Sequence, residues 1–154
     1  MNNKEYVLET LHGIGLTMAS NLQDIADTLS GTELYDRGNY IPDFSEAVKR
    51  KNMLEREIGF TCLSSAGRVV RLLQKYDSNI YTDEPENLPS LWAFKWSKDP
   101  KHALPFIALS TSPYMKDEVC LDDDEVYKSL IDNNVWSPKD YPQGWEKYEP
   151  SESD

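Results

Sequence analysis

The sequence predicts an α+β fold, a long N-terminal helix followed by two small antiparallel β-modules in tandem. Three observations predict it. Leu8, Leu11, Gly15, Met18, Leu22, Ile25 and Leu29 follow one another at alternating spacings of 3 and 4, the a/d series of a helix that packs along one seam. From residue 56 onward the pattern changes to short apolar runs punctuated by Gly, Pro, Asn and Asp, the grammar of strands and tight turns. The stretch Cys120–Trp145 also has a second version upstream, Cys62–Trp92, and such self-similarity marks a duplicated unit.

The helix is expected over residues 3–29, within an N-terminal segment of 1–30. Ile14, Ala19 and Ala26 flank the seam and widen its apolar stripe. Leu8, Leu11, Met18, Leu22, Ile25 and Leu29 are the expected oligomerisation residues; the alternative is that the stripe packs on the chain's own domain. Gly13 and Gly15 each weaken the early turns by about 1 kcal/mol relative to Ala. Gly31 is placed to be the C′ residue that ends the helix, after ~40 Å of rise. Residues 31–55 read as a connector. Tyr35, Tyr40 and Ile41 make it too apolar for a floppy tether, and 44–55 is expected to form a short helix burying Phe44, Ala47 and Val48.

The first β-module spans 56–96. Its strands, Phe60–Leu63 and Arg68–Leu73, flank a Gly67-bearing loop, and Leu91–Phe94 returns after the turn at Asp77-Ser78-Asn79. The second spans 97–148, with strands Glu118–Leu121 and Val126–Leu130 about an Asp122-Asp123-Asp124 turn, and the tail 149–154 is acidic. Pairing Cys62 with Cys120 places Val69-Val70-Arg71 on Val126-Tyr127-Lys128. It also places Asp77 to Thr82 on Asp132 to Ser137, Pro85 on Pro138, Pro89 on Pro142 and Trp92 on Trp145. All the gaps fall in turns, where insertions are tolerated. A two-stranded hairpin is marginal alone, so each copy needs its proline-bearing return and a terminal Trp to build a core. Tyr81 and Trp136 are expected in that core with Trp92 and Trp145, and Trp96, outside the repeated frame, at an interface between copies or chains.

Composition excludes several functions. A net charge of −11 opposes nucleic-acid binding, which requires Lys and Arg to displace counterions. No run is long enough to span a membrane, and the N-terminus lacks a basic start followed by an apolar core, so no signal peptide is expected. Cys62 and Cys120 are too few for a secreted disulfide scaffold and read as free thiols in a reducing cytoplasm. His12 and His102 are the only histidines, and nothing places either beside a nucleophile. There is no phosphate loop and no metal-ligand spacing. The acids Asp117, Glu118 and Asp122 to Glu125 lack the regular spacing of a calcium loop and read as a solvated turn. No enzyme activity, cofactor or metal is expected.

The run Val126-Tyr127-Lys128-Ser129, Asp132-Asn133-Asn134-Val135-Trp136-Ser137-Pro138 and Tyr141-Pro142 to Gly144-Trp145 resembles the small chitinase-type carbohydrate-binding modules of families five and twelve. It is most similar to the versions found in bacteriophage and prophage virion proteins. The resemblance covers roughly residues 54–148. It implies compact β-modules that stack exposed aromatics on sugar faces, in a non-enzymatic, oligomeric part of a tail, fibre or capsid. Where the chitin-binding pattern carries paired surface aromatics after its second strand, this chain has Leu73-Gln74 and Leu130-Ile131.

On that resemblance, the candidate carbohydrate-binding residues are Tyr76, Tyr81, Tyr127, Asn133, Asn134, Trp136 and Tyr141, aided by Asp132. The other reading makes Trp136 a core residue and leaves the Asn pair only to shape the turn. The expected function is a virion structural and adhesion protein, assembled in the host cytoplasm as a homo-oligomer, with a trimer preferred. Its partners would be copies of itself, other virion proteins and cell-surface polysaccharide, without nucleic acid or membrane. The alternatives are a purely structural capsid or tail decoration without glycan affinity and, less favoured, an acidic inhibitor of a host nuclease.

Overall fold

The computed structural model describes residues 21–149. Residues 21–25 are helical, the chain tightens to a 3₁₀ turn at Ala26–Thr28, and Leu29 is extended. The complete helices are α1 (Gly31–Asp36) and α2 (Phe44–Arg50), of six and seven residues. Among the described residues the architecture is two small three-stranded antiparallel sheets with short helices, and the predicted long helix through residue 29 is overturned there, because α-helical geometry stops at Ile25. Leu8, Leu11 and Met18 of the expected seam lie outside the described residues.

The correction has a local cause. Ser30 does not end a helix but begins one. Its hydroxyl accepts the Glu33 N–H at 3.2 Å while the Glu33 carboxylate accepts the Ser30 N–H at 3.1 Å, a reciprocal capping box. Gly31 is accordingly the first residue of α1 rather than a C′ residue. A Cβ there would lie 2.0 Å from the Trp96 carbonyl oxygen, so only glycine lets α1 start against the exit of the first sheet. The described part of the stripe is used internally. Leu22 and Ala26 are buried with Leu34, Tyr35, Ile41 and Val69, and Leu29 packs against them. Ile25 alone of the described seam residues is left 45% exposed.

The first sheet, β1 (Thr61–Leu63), β2 (Val69–Leu72) and β3 (Trp92–Lys95), has the order β1-β2-β3. The second, β4 (Val119–Asp122), β5 (Glu125–Ser129) and β6 (Trp145–Lys147), has the order β4-β5-β6. Their hairpins turn differently. Ser64 and Arg68 close a three-residue loop ending in Gly67 at φ +86°, whereas Asp123 and Asp124, both at positive φ, make a two-residue turn between Asp122 and Glu125, the conformation that matches strand twist. The ladders are equivalent. Cys62 faces Val70 and Val70 faces Phe94, while Cys120 faces Tyr127 and Tyr127 faces Lys147. Trp92 stands opposite Leu72 and Trp145 opposite Ser129.

The equivalence extends upstream of the cysteines. The Leu63 N–H donates to the Pro42 carbonyl and the Leu121 N–H to the Leu104 carbonyl, so a parallel segment covers the outer edge of each first strand. That segment delivers Phe44 edge-on to Trp92 (5.6 Å, 90°) in one copy and Phe106 edge-on to Trp145 (6.0 Å, 90°) in the other. Gln23 covers more of the β1 edge: its amide donates to the Thr61 carbonyl at 2.7 Å and accepts the Thr61 N–H at 2.9 Å. Covering an edge removes a template for unwanted strand pairing.

One continuous core joins the two sheets. Phe94 stacks on Trp96, Trp96 on Tyr114 at 4.4 Å, and Tyr114 meets both Phe106 and Trp145. Trp96 Nε1 donates to the Ser112 carbonyl at 2.9 Å, and the Val119 N–H donates to the Ser97 carbonyl. Trp96 thus sits between the copies, buried in their common core. Cys62 and Cys120 are both buried and unpaired.

Candidate functional site

A saccharide platform needs a flat ring whose face reaches solvent and whose orientation is held from behind. Among the described aromatic side chains, only Tyr81 and Trp136 are exposed, at 55% and 50%. Both were expected in the core, and both lie outside it. The reason is visible in their hydrogen bonds. At Trp136 the fold uses the main chain: its carbonyl accepts the Nε1–H of buried Trp145 at 2.7 Å, and its N–H donates to Asn134 Oδ1. At Tyr81 the N–H donates to the Asp77 carbonyl at 3.0 Å. Neither ring is needed to close its copy.

Each exposed ring is braced by a second one. Tyr141 meets Trp136 at 5.4 Å and 65°, and Tyr76 meets Tyr81 at 6.4 Å and 67°. Both contacts lie in the edge-to-face range favoured by the ring quadrupole. Tyr76 itself is buried, and its hydroxyl accepts the Trp92 Nε1–H at 3.1 Å; burial raises its pKa above the usual phenol range. Tyr127 is half-buried and lines a separate depression of about 520 Å³ with Asp122, Asp123, Pro138 and Lys139.

The asparagine pair divides. Asn133 is exposed in the left-handed region at φ +55°, a conformation Asn tolerates better than most residues. Asn134 is fully buried, and its amide donates to Ser129 Oγ at 3.1 Å and to the Gly144 carbonyl at 3.0 Å. Asn134 has no donor left for a ligand. Of the seven candidate residues, the structure brings Trp136 and Tyr141 together, sets Tyr81 on Tyr76 in the other copy, and uses Asn134 inside the fold.

Other chemistry-bearing groups lie elsewhere. Burial pushes the Cys120 thiol up to about 12 and raises the Cys62 thiol further, so neither is a ready nucleophile at neutral pH. Asp36, Asp99 and His102 bring one donor atom each within 4.8 Å of one another. They are the one such group among the described residues, with His102 Nε2 3.5 Å from Asp36 and its ring stacked on Tyr35. The acids of the β4–β5 hairpin do not converge in this way.

Glu118 faces a groove of about 690 Å³ between the copies, which Lys95, Lys98, Met115 and Asp132 also line. Burial pushes its carboxyl up from 4.5 to about 7, against the Met115 N–H that it accepts and the nearby Lys98 and Lys95. The native state then binds more protons than the unfolded state between pH 4.5 and 7, so this group's contribution is present below 4.5 and is lost as pH rises through about 7. Glu118→Gln keeps an acceptor for Met115. It is expected to raise the melting temperature at pH 8, with the gain shrinking toward pH 5; an equal change at both pH values would contradict the assignment.

No family model, curated protein or solved structure matches the chain. Sequence reasoning missed the Phe44 and Phe106 equivalence, and its residue pattern put the two repeated aromatics in the core while the resemblance alone made them stacking candidates. The signal for the first was present as Pro42-Asp43-Phe44 against Leu104-Pro105-Phe106.

Proposed function

We propose that the chain is a non-enzymatic virion structural and adhesion protein of phage type that holds host-surface glycans on exposed aromatic rings. One observation carries the reading: the fold buries Trp92, Trp96 and Trp145 but leaves Trp136 half-exposed, braced edge-on by Tyr141. A braced ring loses little conformational freedom on binding, which is how preorganisation raises affinity. Asp132, whose Oδ1 accepts the Lys116 N–H at 3.0 Å, and Asn133 are both exposed and stand close before Trp136 in sequence. Self-association, with a trimer as the first expectation, belongs to the same proposal and is read from the mass in solution.

Trp136→Ala is expected to weaken retention on insoluble polysaccharide about tenfold, on the order of 1.4 kcal/mol, with the melting temperature nearly unchanged. Absence of wild-type retention on chitin, cellulose and host cell-wall preparations would overturn the glycan reading. The purely structural decoration protein is favoured by a different observation. Leu73 and Leu130, at aligned positions after β2 and β5, are both exposed and offer aliphatic rather than aromatic surface, which suits a protein neighbour.

A further inference from the structure

Resting on the glycan reading above, we infer that the chain holds two saccharide platforms, with Tyr81 of the first copy acting at its site as Trp136 does in the second.

The two copies provide an internal comparison. A residue type kept at aligned positions of a duplicated unit is usually kept for the fold, and Trp92 with Trp145 illustrates this: both are buried and both stand at the same place in the ladder. Tyr81 and Trp136 break the pattern. They are aligned, aromatic and exposed, and they are the only exposed aromatic side chains among the described residues. The fold engages each through its main chain, and the ring's aromatic contact is with its brace, Tyr76 or Tyr141, so closure of the core does not account for an exposed ring at both positions. A shared surface task does.

The bracing points the same way. Tyr76 lies in the two residues that the first copy has in excess before its turn, whereas Tyr141 lies in the return of the second. These positions are not equivalent, yet each sets a ring edge-to-face against its exposed partner, at 67° and 65°. The geometry recurs although the supporting residues do not correspond. Each exposed ring also follows an exposed asparagine within three residues, Asn79 before Tyr81 and Asn133 before Trp136. A flat apolar ring face matches a pyranose whose substituents are equatorial, with its C–H groups toward the ring. With a net charge of −11, a neutral sugar is favoured over an anionic one.

Both copies share one core, so the two platforms are carried on a single body.

The test uses the full chain, Tyr81→Ala, Trp136→Ala and the double variant, with near-UV circular dichroism to verify the fold. The probes are chitin and cellulose beads and the corresponding soluble tetrasaccharides. Expected results are two tetrasaccharides per wild-type chain and one per single variant, a tenfold or greater loss of bead retention for each single variant, and no retention for the double variant. A wild-type stoichiometry of one, abolished by Trp136→Ala and untouched by Tyr81→Ala, overturns the second platform and leaves the glycan reading standing. Absence of wild-type binding on every probe, and on host cell-wall preparations as well, overturns both.

Discussion

Replacing Trp92 with Ala is expected to cost about 3–5 kcal/mol, against a total of about 5–15 kcal/mol for an ordinary domain. Trp92 is wholly buried and faces Leu72 across the sheet. Phe44 meets its ring edge-on at 5.6 Å and Tyr76 at 6.2 Å, and its indole N–H donates to the Tyr76 hydroxyl. Truncation removes the largest side chain of the first copy, opens a cavity and leaves that hydroxyl without its donor. The loss should not stay local. Phe94, Trp96, Tyr114 and Trp145 belong to the same core as Trp92, so the second sheet loses its support with the first. Urea unfolding followed by far-ultraviolet circular dichroism and by tryptophan fluorescence should give coincident single transitions for wild type and variant, with the midpoint lowered and the slope unchanged. Two separated transitions, the later one insensitive to the substitution, would show that the copies fold independently.

The legible parts of the fold were those whose residues answer to ladder geometry. Cys62 with Cys120 and Trp92 with Trp145 occupy equivalent ladder positions, and strand period and turn residues are written locally. The long helix was misread because a 3-4 spacing serves any amphipathic helix, whether its stripe meets another chain or its own core. Here Leu22 and Ala26 meet their own core. The corrective signal, Ser30 to Glu33, was a capping box hidden inside an apparent helix terminus. Phe44 and Phe106 escaped alignment because the first copy has four more residues before its cysteine, and α2 occupies that interval. Tyr81 and Trp136 escaped for another reason. Alternation identifies which residues share a face only within a strand, and both lie outside the strands. What the fold needs from Trp136 is its carbonyl, and a carbonyl has no signature in sequence. The same limit applied to Asn134, whose neighbour Asn133 is exposed while it is wholly buried.

Asn134→Ala is the polar counterpart of the core truncation, with an expected loss of about 2–4 kcal/mol from its several buried hydrogen bonds. The Asn134 main chain pairs with Tyr114, donating to its carbonyl at 2.7 Å and accepting its N–H at 2.9 Å. This ties the turn after β5 to the ring that stacks on Trp96. Its side chain fills three roles: it donates to Ser129 Oγ and to the Gly144 carbonyl and accepts the Trp136 N–H. Alanine keeps the main-chain bridge and removes all three side-chain bonds in a site without solvent. The Gly144 carbonyl retains the Leu130 N–H and the Ser129 hydroxyl still donates to the Ile131 carbonyl, so the penalty falls chiefly on Trp136, whose N–H loses its acceptor. Asn134→Asp should be worse at neutral pH, because it places a carboxylate against the Gly144 carbonyl where an amide donor stood. Thermal melts and urea titrations at pH 7 should rank the proteins wild type, Asn134→Ala and Asn134→Asp in falling stability. The Trp136 main chain, held through that N–H and through its carbonyl, should lose order as well, so polysaccharide retention of Asn134→Ala should fall even well below its melting temperature. Unchanged stability in Asn134→Ala would mean that the buried amide is not what orders this turn, and that the brace behind Trp136 is Tyr141 alone.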